Sequence, residues 1–121
     1  MSSDPQKIVA ALREMVRRID GISAVLEGRS FEAFAADLTL DAAVHHHPLI
    51  IGEAARRIDA DLERLLPGHA WTDIKSFGNV IRHRYDDVQP RVAYDLYANG
   101  ELARLRDDCL RAVERMVHRR P

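Results

Sequence analysis

The chain has 121 residues, of which 46% are hydrophobic and 31% are charged, and this balance fits one globular domain that we expect to span residues 1–121. Its formal net charge of -1, from 18 basic and 19 acidic side chains, argues against binding of nucleic acid through bulk charge, so any such contact must be local. The sequence has no apolar run of about 18 residues and no basic N-terminal region followed by a long apolar stretch, which argues against a membrane span and a signal peptide and predicts a cytoplasmic protein.

The first predicted helix begins at Asp4-Pro5, where a capping carboxylate precedes a proline at the first helical position. Apolar residues then recur at steps of three and four and predict an amphipathic helix that ends at Gly28. These residues are Ile8, Leu12, Met15, Ile19, Ile22 and Leu26. Ser30 precedes a short helical piece, Phe31-Glu32-Ala33-Phe34, which we expect to place two aromatic rings on the core.

A second apolar stripe runs from Thr39 to Leu65 and is ended by Pro67-Gly68. Its members are Leu40, Val44, His47, Ile51, Ala54, Ile58, Leu62 and Leu65. Pro48 interrupts the pattern, because it removes a backbone donor and clashes with the carbonyl of Val44. We therefore expect a kink or a helix break there, with a bend near His47.

The remaining pattern predicts three helices. One begins near Trp71 and buries Ile74, Phe77 and Ile81, and a turn follows around Val88-Gln89-Pro90. A short helix then carries Val92 and Leu96 and is ended by Asn99-Gly100, and the final helix carries Leu102, Leu105, Cys109, Ala112 and Met116 on one face. No segment shows the alternation of a strand, so the expected fold is all-α, an antiparallel helical bundle of four main helices plus short helices.

Cys109 is the one cysteine of the sequence and falls on the apolar stripe of the final helix. A single cysteine cannot form a disulfide within the chain. A reducing compartment and a packing role are therefore expected, rather than a reactive thiol.

Four functional side chains share one side of the helix predicted over residues 77–85. Asn79 and His83 are i,i+4 neighbours, while Arg82 and Tyr85 are i,i+3 neighbours on the adjoining face. A histidine can move protons near neutral pH, and an arginine fork complements phosphate oxygens, so the cluster suits metal-free cleavage of a phosphodiester. The competing interpretation is a set of solvated or paired surface groups.

The run of three histidines at residues 45–47 suggests a metal site, but consecutive helical positions point about 100° apart and cannot converge on one ion. His47 is more simply a histidine at the edge of the core, close enough to the 77–85 helix to shape a groove. Glu53 precedes Arg56 and Arg57 by three and four residues, so a surface ion pair accounts for it.

Several separated runs of the sequence resemble the HepT-like branch of the HEPN domains. They are Ser30-Phe31-Glu32-Ala33-Phe34, Asp37, Ile50-Ile51-Gly52-Glu53-Ala54-Ala55-Arg56-Arg57-Ile58, Leu65-Leu66-Pro67, Trp71-Thr72-Asp73-Ile74, Gly78-Asn79 and His83-Arg84-Tyr85. The resemblance covers nearly the whole chain and implies an all-helical homodimer that is a metal-independent endoribonuclease without a cofactor. It also implies the toxin of a type VII-like bacterial toxin-antitoxin pair, whose antitoxin is a minimal nucleotidyltransferase of the MNT type. Glu53 lies in a Gly-Glu-Ala step that recurs in the family, which favours a structural role for it.

The family signature is an arginine, four residues, a histidine, one residue and a tyrosine, and it maps onto Gly78, His83 and Tyr85. A glycine therefore stands at the arginine position. Arg82 lies one turn further along the predicted helix, displaced by about 6 Å and rotated by roughly 40°, so its long side chain can reach the same phosphate. Compensation by Arg82 is the first hypothesis, and a weakened or lost nuclease is the second. Asn79 either donates to a phosphate, holds the tautomer of His83 or makes a helix-helix hydrogen bond.

The resemblance gives Tyr85 a second role, as the acceptor of adenylyl groups from the antitoxin, and the alternative is a ring packed on the core. Three functions remain open. The chain is a ribonuclease toxin, a catalytically degenerate module that binds RNA or its nucleotidyltransferase partner without turnover, or a helical dimer that serves only complex assembly.

Overall fold

The computed structural model describes residues 4–72, 74–75 and 89–118 of the chain. Six α-helices and one 3-10 helix have both ends within these residues, and no strand occurs in them. The helices are α1 (Pro5–Leu26), α2 (Phe31–Ala35), α3 (Leu38–Arg57), the 3-10 helix (Asp59–Asp61), α4 (Leu62–Leu65), α5 (Gln89–Ala98) and α6 (Glu101–His118). The predicted all-α fold is confirmed.

Helix α1 begins as the sequence predicts. The Asp4 carboxylate accepts a hydrogen bond of 2.8 Å from the backbone N–H of Gln6, and Pro5 occupies the first turn, where its missing donor costs nothing. The helix ends at Leu26, and Gly28 adopts a φ of 73°, which favours glycine. Both ends of this helix follow from local chemistry alone.

Helix α1 is the centre of the bundle and packs chiefly against α3 and α6. Its predicted apolar stripe is buried, and so are Leu102, Leu105, Cys109 and Ala112 of the stripe on α6. The Cys109 sulfur lies 4.0 Å from the sulfur of Met15, and burial raises the pKa of the thiol to about 12. The expected packing role of Cys109 is confirmed.

The short helix α2 places its aromatic residues as predicted. The Ser30 hydroxyl caps it by accepting a 3.1 Å hydrogen bond from the backbone N–H of Ala33. Phe34 is fully buried and Phe31 is half-buried. Tyr94 of α5 stacks on Phe34 at a centroid distance of 6.2 Å, and its hydroxyl donates a 3.0 Å hydrogen bond to the carbonyl of Arg29, so α5 is fixed against α2.

The second long stripe folds differently from the prediction. Helix α3 runs through Pro48, so of the kink or break expected there the break does not occur, and the bend near His47 stays a prediction. The break comes instead at Ile58, with φ -122° and ψ 31°, and the 3-10 helix and α4 follow it. Proline costs one backbone hydrogen bond, but Pro48 is buried and the packing of α3 on α1 offsets that cost. Because Ile58 and Leu62 are both buried, the apolar pattern continues across the break and does not reveal it.

The connection between α5 and α6 is a tight turn. Gly100 has a φ of 85°, and the Asn99 side-chain oxygen accepts a 2.9 Å hydrogen bond from the backbone N–H of Glu101. Helix α5 begins at Gln89, which lies inside the turn that the sequence predicted. None of the described helices combines the length and the apolar character needed to cross a bilayer.

Candidate functional site

The residues predicted to carry the chemistry lie outside the described part of the chain. They are Gly78, Asn79, Arg82, His83 and Tyr85, together with Phe77 and Ile81 of the same predicted helix. The structure does describe the chain that leads into this segment, the predicted supporting residues His47 and Glu53, and helix α5 that follows the segment.

The chain before the segment is anchored by Trp71. This side chain is 4% exposed, and its indole N–H donates a 2.9 Å hydrogen bond to the carbonyl of Leu66. Residues 71–72 and 74–75 are helical, and the backbone N–H of Ile74 bonds to the carbonyl of Ala70 at 3.0 Å. The prediction that a helix begins near Trp71 is confirmed for these residues.

A buried histidine holds this chain against α6. The Nε2 atom of His69 lies 2.7 Å from Oδ2 of Asp108, while Arg111 donates to Oδ1 of the same carboxylate at 2.5 Å. The hydrogen bond from His69, followed by that from Arg111, lowers the pKa of the Asp108 carboxyl below its ordinary value. An ionised carboxylate can only accept, so Nε2 of His69 carries the hydrogen. The remaining ring nitrogen, Nδ1, is buried without a hydrogen-bond partner among the described residues.

A second contact to α6 lies one residue earlier in the chain. The guanidinium of Arg104 donates a 3.1 Å hydrogen bond to the carbonyl of Gly68, whose φ of 84° shapes the turn before His69. Arg104 and Asp108 are i,i+4 neighbours and therefore lie on one face of α6. This face of α6 therefore contacts the turn at Gly68 and at His69.

Lys75, the last described residue before the predicted site, is held by the end of α3 and by the 3-10 helix. The Lys75 ammonium pairs with the Asp59 carboxylate, and the Arg56 guanidinium donates to the backbone carbonyl of Lys75. Arg56 and Arg57 were both offered as ion-pair partners of Glu53, and among the described residues Arg56 does not pair with it. Arg56 donates instead to the backbone carbonyl of Lys75, and Glu53 is half-buried.

His47 lies on α3 at the edge of the core, as predicted, and its ring rests against Gly21 of α1. Burial lowers the pKa of His47 below its ordinary value, and the positive charges of Arg18 and His46 lower it further. Its Nδ1 atom is buried and has no hydrogen-bond partner in the described residues. The expected approach of His47 to the 77–85 helix concerns residues outside the described part.

No group of three or more histidine, cysteine, aspartate or glutamate side chains among the described residues could hold a metal ion. The pairs His69–Asp108, Arg104–Gly68 and Lys75–Asp59 instead join one stretch of the described chain to another. These contacts fix the chain as far as Lys75. The residues predicted to react lie beyond it, outside the described part of the chain.

Sequence reasoning missed the contacts of His69, Asp108, Arg104 and Gly68. His69 and Asp108 are 39 residues apart in the sequence, and neither belongs to a motif. The only local signal was the Pro67-Gly68 turn, which indicated a loop before Trp71 but no partner for it.

A comparison with protein-family models finds one described as "Ribonuclease HepT-like", which matches residues 10–114. The matched range contains every predicted site residue, from His47 to Tyr85. Comparisons with curated proteins and with solved structures found no match.

Proposed function

The chain belongs to the HepT-like ribonuclease family, and from this premise we propose that it is a metal-independent endoribonuclease acting through Arg82 and His83. The observation that carries the proposal is the family match over residues 10–114, which includes the complete run from Gly78 to Tyr85. The chemistry of an imidazole beside a guanidinium supports it, because these groups move a proton and bind a phosphate without a metal ion.

The reaction that fits these groups is transfer of the phosphate within the RNA chain. The ribose 2′-oxygen attacks the adjacent phosphorus and loses its proton to a base, so a 2′-O–P bond forms. The P–O5′ bond breaks, and the departing 5′-oxygen takes up a proton. The products carry a 2′,3′-cyclic phosphate and a 5′-hydroxyl. In this scheme His83 transfers a proton and Arg82 binds the phosphate, stabilising the charge that develops on its oxygens.

A homodimer would complete this scheme. One histidine cannot accept a proton from the 2′-hydroxyl and donate another to the 5′-oxygen at the same moment. Two copies of His83 that face one groove would supply the base and the acid together. Asn79 would then donate to the phosphate or hold the tautomer of His83.

The family also supports a biological setting for the activity. We place the chain as the toxin of a toxin-antitoxin pair whose antitoxin is an MNT-type nucleotidyltransferase. That enzyme would transfer adenylyl groups to Tyr85, adding bulk and negative charge beside the RNA groove and switching the nuclease off.

A second candidate function rests on Gly78. The family places an arginine at this position, and the present chain lacks it. If Arg82 does not compensate, the protein is a module that binds RNA or its nucleotidyltransferase without cleaving, since the charge developing on the phosphate loses its main stabilising group.

The test is cleavage of a mixed pool of bacterial RNAs by the purified protein in excess EDTA, with the ends of the products mapped. Wild type is compared with His83→Ala, Arg82→Ala and Tyr85→Phe after mass spectrometry has shown that Tyr85 carries no adenylyl group. Arg115→Ala, which removes an exposed arginine of α6, controls for a general loss of positive charge.

Our proposal expects cleavage by wild type, Arg115→Ala and Tyr85→Phe, and a loss of about a hundredfold or more in His83→Ala and Arg82→Ala. The ends should be a 2′,3′-cyclic phosphate and a 5′-hydroxyl. Absence of cleavage by a folded, unmodified wild-type protein would overturn the enzyme and leave the binding module. Cleavage that survives in Arg82→Ala would contradict compensation by that arginine.

A further inference from the structure

The chain that leads into the catalytic segment is held at two places. Gly68 and His69 contact Arg104 and Asp108 of α6. Lys75 is bound to Asp59 of the 3-10 helix. The described residues from 68 to 75 are therefore fixed relative to two elements of the core. We call the contacts of Gly68 and His69 with Arg104 and Asp108 the α6 anchor.

We propose that His69, through the α6 anchor, is a positioning residue that sets the orientation of the catalytic helix. This inference rests on the proposed ribonuclease function. His69 lies two residues before Trp71, where the helix begins, and its own side chain is 1% exposed, so it acts through the helix and not on the RNA.

The leverage is large because the reacting groups lie far along the predicted helix. His83 follows Trp71 by twelve residues, which is about 18 Å at a rise of 1.5 Å per residue. A rotation of roughly 10° at the start of such a helix moves its far end by about 3 Å, and a misplacement of about 1 Å can cost a hundredfold in rate. A contact that only tightens the turn can therefore decide the rate.

The chemistry of the anchor explains why a histidine suits this position. Nε2 of His69 donates to Asp108 at 2.7 Å, and the flat ring lies against Trp71 with centroids 5.6 Å apart. One side chain therefore joins the first residue of the helix to α6. Glutamine places an N–H donor at a similar distance from its Cα atom, whereas leucine keeps the volume and loses the donor.

The loss of His69 can be tested without leaving Asp108 unpaired. If His69 is replaced, Asp108 keeps its ion pair with Arg111 at 2.5 Å, so no buried charge is left without a partner. A matched control is the ion pair of Arg106 with Asp20, which joins α6 to α1 at 2.6 Å and does not contact the turn. Both changes remove one ion pair or hydrogen bond from α6, but only one of them touches the chain that leads to the catalytic helix.

The experiment compares wild type, His69→Leu, His69→Gln and Arg106→Gln. Three quantities are measured in each protein: kcat and KM for cleavage of one defined RNA, the melting temperature, and the hydrogen exchange of peptides that cover residues 71–88. The emission of Trp71, the only tryptophan of the chain, reports the anchor directly.

We expect His69→Leu to lower kcat by about tenfold or more with KM nearly unchanged, because the misplaced groups bind RNA but stabilise the transition state poorly. Exchange over residues 71–88 should accelerate and Trp71 emission should shift. His69→Gln should restore kcat, and Arg106→Gln should behave as wild type in all readouts except the melting temperature.

Two results would overturn the proposal. One is a loss of kcat in His69→Leu that Arg106→Gln matches at equal loss of melting temperature, which would make His69 merely stabilising. The other is unchanged exchange over residues 71–88 in His69→Leu. Since exchange and emission do not depend on cleavage, they decide the positioning role even if the wild-type protein proves not to cleave RNA, a result that would refute only the proposed function.

Discussion

The ring of His47 lies directly against the backbone of Gly21. A Cβ atom built on residue 21 would be 2.6 Å from Nε2 and 2.7 Å from Cε1 of that ring, which is closer than real Cβ contacts. Gly21 lies inside α1, where glycine costs roughly 1 kcal/mol relative to alanine. The close approach of α3 accounts for a residue that the helix itself disfavours.

Gly21→Ala is therefore expected to destabilise the protein by up to about 2 kcal/mol, since an overpacking cost of about 1–3 kcal/mol exceeds the gain of roughly 1 kcal/mol in helix propensity. The change in unfolding free energy caused by Gly21→Ala should have the opposite sign when the His47 ring is absent. In a His47→Ala background, Gly21→Ala should stabilise the protein. Urea unfolding of the four proteins of this double-mutant cycle measures both effects. Equal effects of Gly21→Ala in the two backgrounds would contradict the packing described here.

The lowered pKa of His47 has a consequence for stability against pH. Its ordinary value is 6.5, and burial lowers it in the folded state, so the unfolded chain takes up a proton first as the pH falls. Stability should therefore decrease below about pH 6.5. His47→Leu removes this dependence, and its free energy of unfolding should change less than that of wild type between about pH 8 and pH 5.5. His118→Leu, which removes an exposed histidine of α6 that does not act on His47, serves as the control.

Asp108 is an acid, whereas His47 is a base, and hydrogen bonds from His69 and Arg111 lower the pKa of its carboxyl. Its contribution to stability is present above its ordinary value of 3.8 and is lost as the pH falls through the folded value. Asp108→Asn should cost about 1–2 kcal/mol at neutral pH, the size of a charged hydrogen bond at a partly exposed site. The difference from wild type should shrink as the pH falls below 3.8. Asp107→Asn, an exposed neighbour, should show no comparable loss at neutral pH.

Gly78→Arg tests whether activity needs the arginine that the resemblance leads us to expect at position 78. If Arg82 compensates, as we propose, the added guanidinium should leave the cleavage rate within a few-fold of wild type. A degenerate site would instead gain about a hundredfold or more, the size of effect produced by one donor at developing charge. The rate of RNA cleavage in excess EDTA distinguishes the two, and a melting temperature close to that of wild type shows that the variant is folded.

The parts of the fold that sequence predicted well are those fixed by neighbours in the chain. The Asp4 cap, the Ser30 cap and the Asn99-Gly100 turn each depend on residues within a few positions. The buried faces of α1 and α6 follow from their apolar spacing. Membership of the family was predicted as well, because several separated runs agreed.

The parts that sequence missed depend on packing between distant residues. The sequence did not predict the break at Ile58, and it left open whether Pro48 would kink the helix or break it. Helix α3 continues through Pro48 because its packing on α1 offsets the lost hydrogen bond. The pairing of His69 with Asp108 spans 39 residues and leaves no periodic trace. Arg56 was one of two predicted local partners of Glu53, but its guanidinium donates to the backbone carbonyl of Lys75 instead. The roles of Arg82, His83 and Tyr85 stay predictions.

The contact of the Cys109 and Met15 sulfurs makes thiol labelling a measure of how readily α1 and α6 separate. A thiol reagent can reach that sulfur only when α1 and α6 separate, and the thiol with its pKa of about 12 does not react while it is enclosed. Since the chain has no other cysteine, each labelled molecule records one opening event of the core. The rate at which such a reagent labels the purified protein therefore reports how readily the core opens.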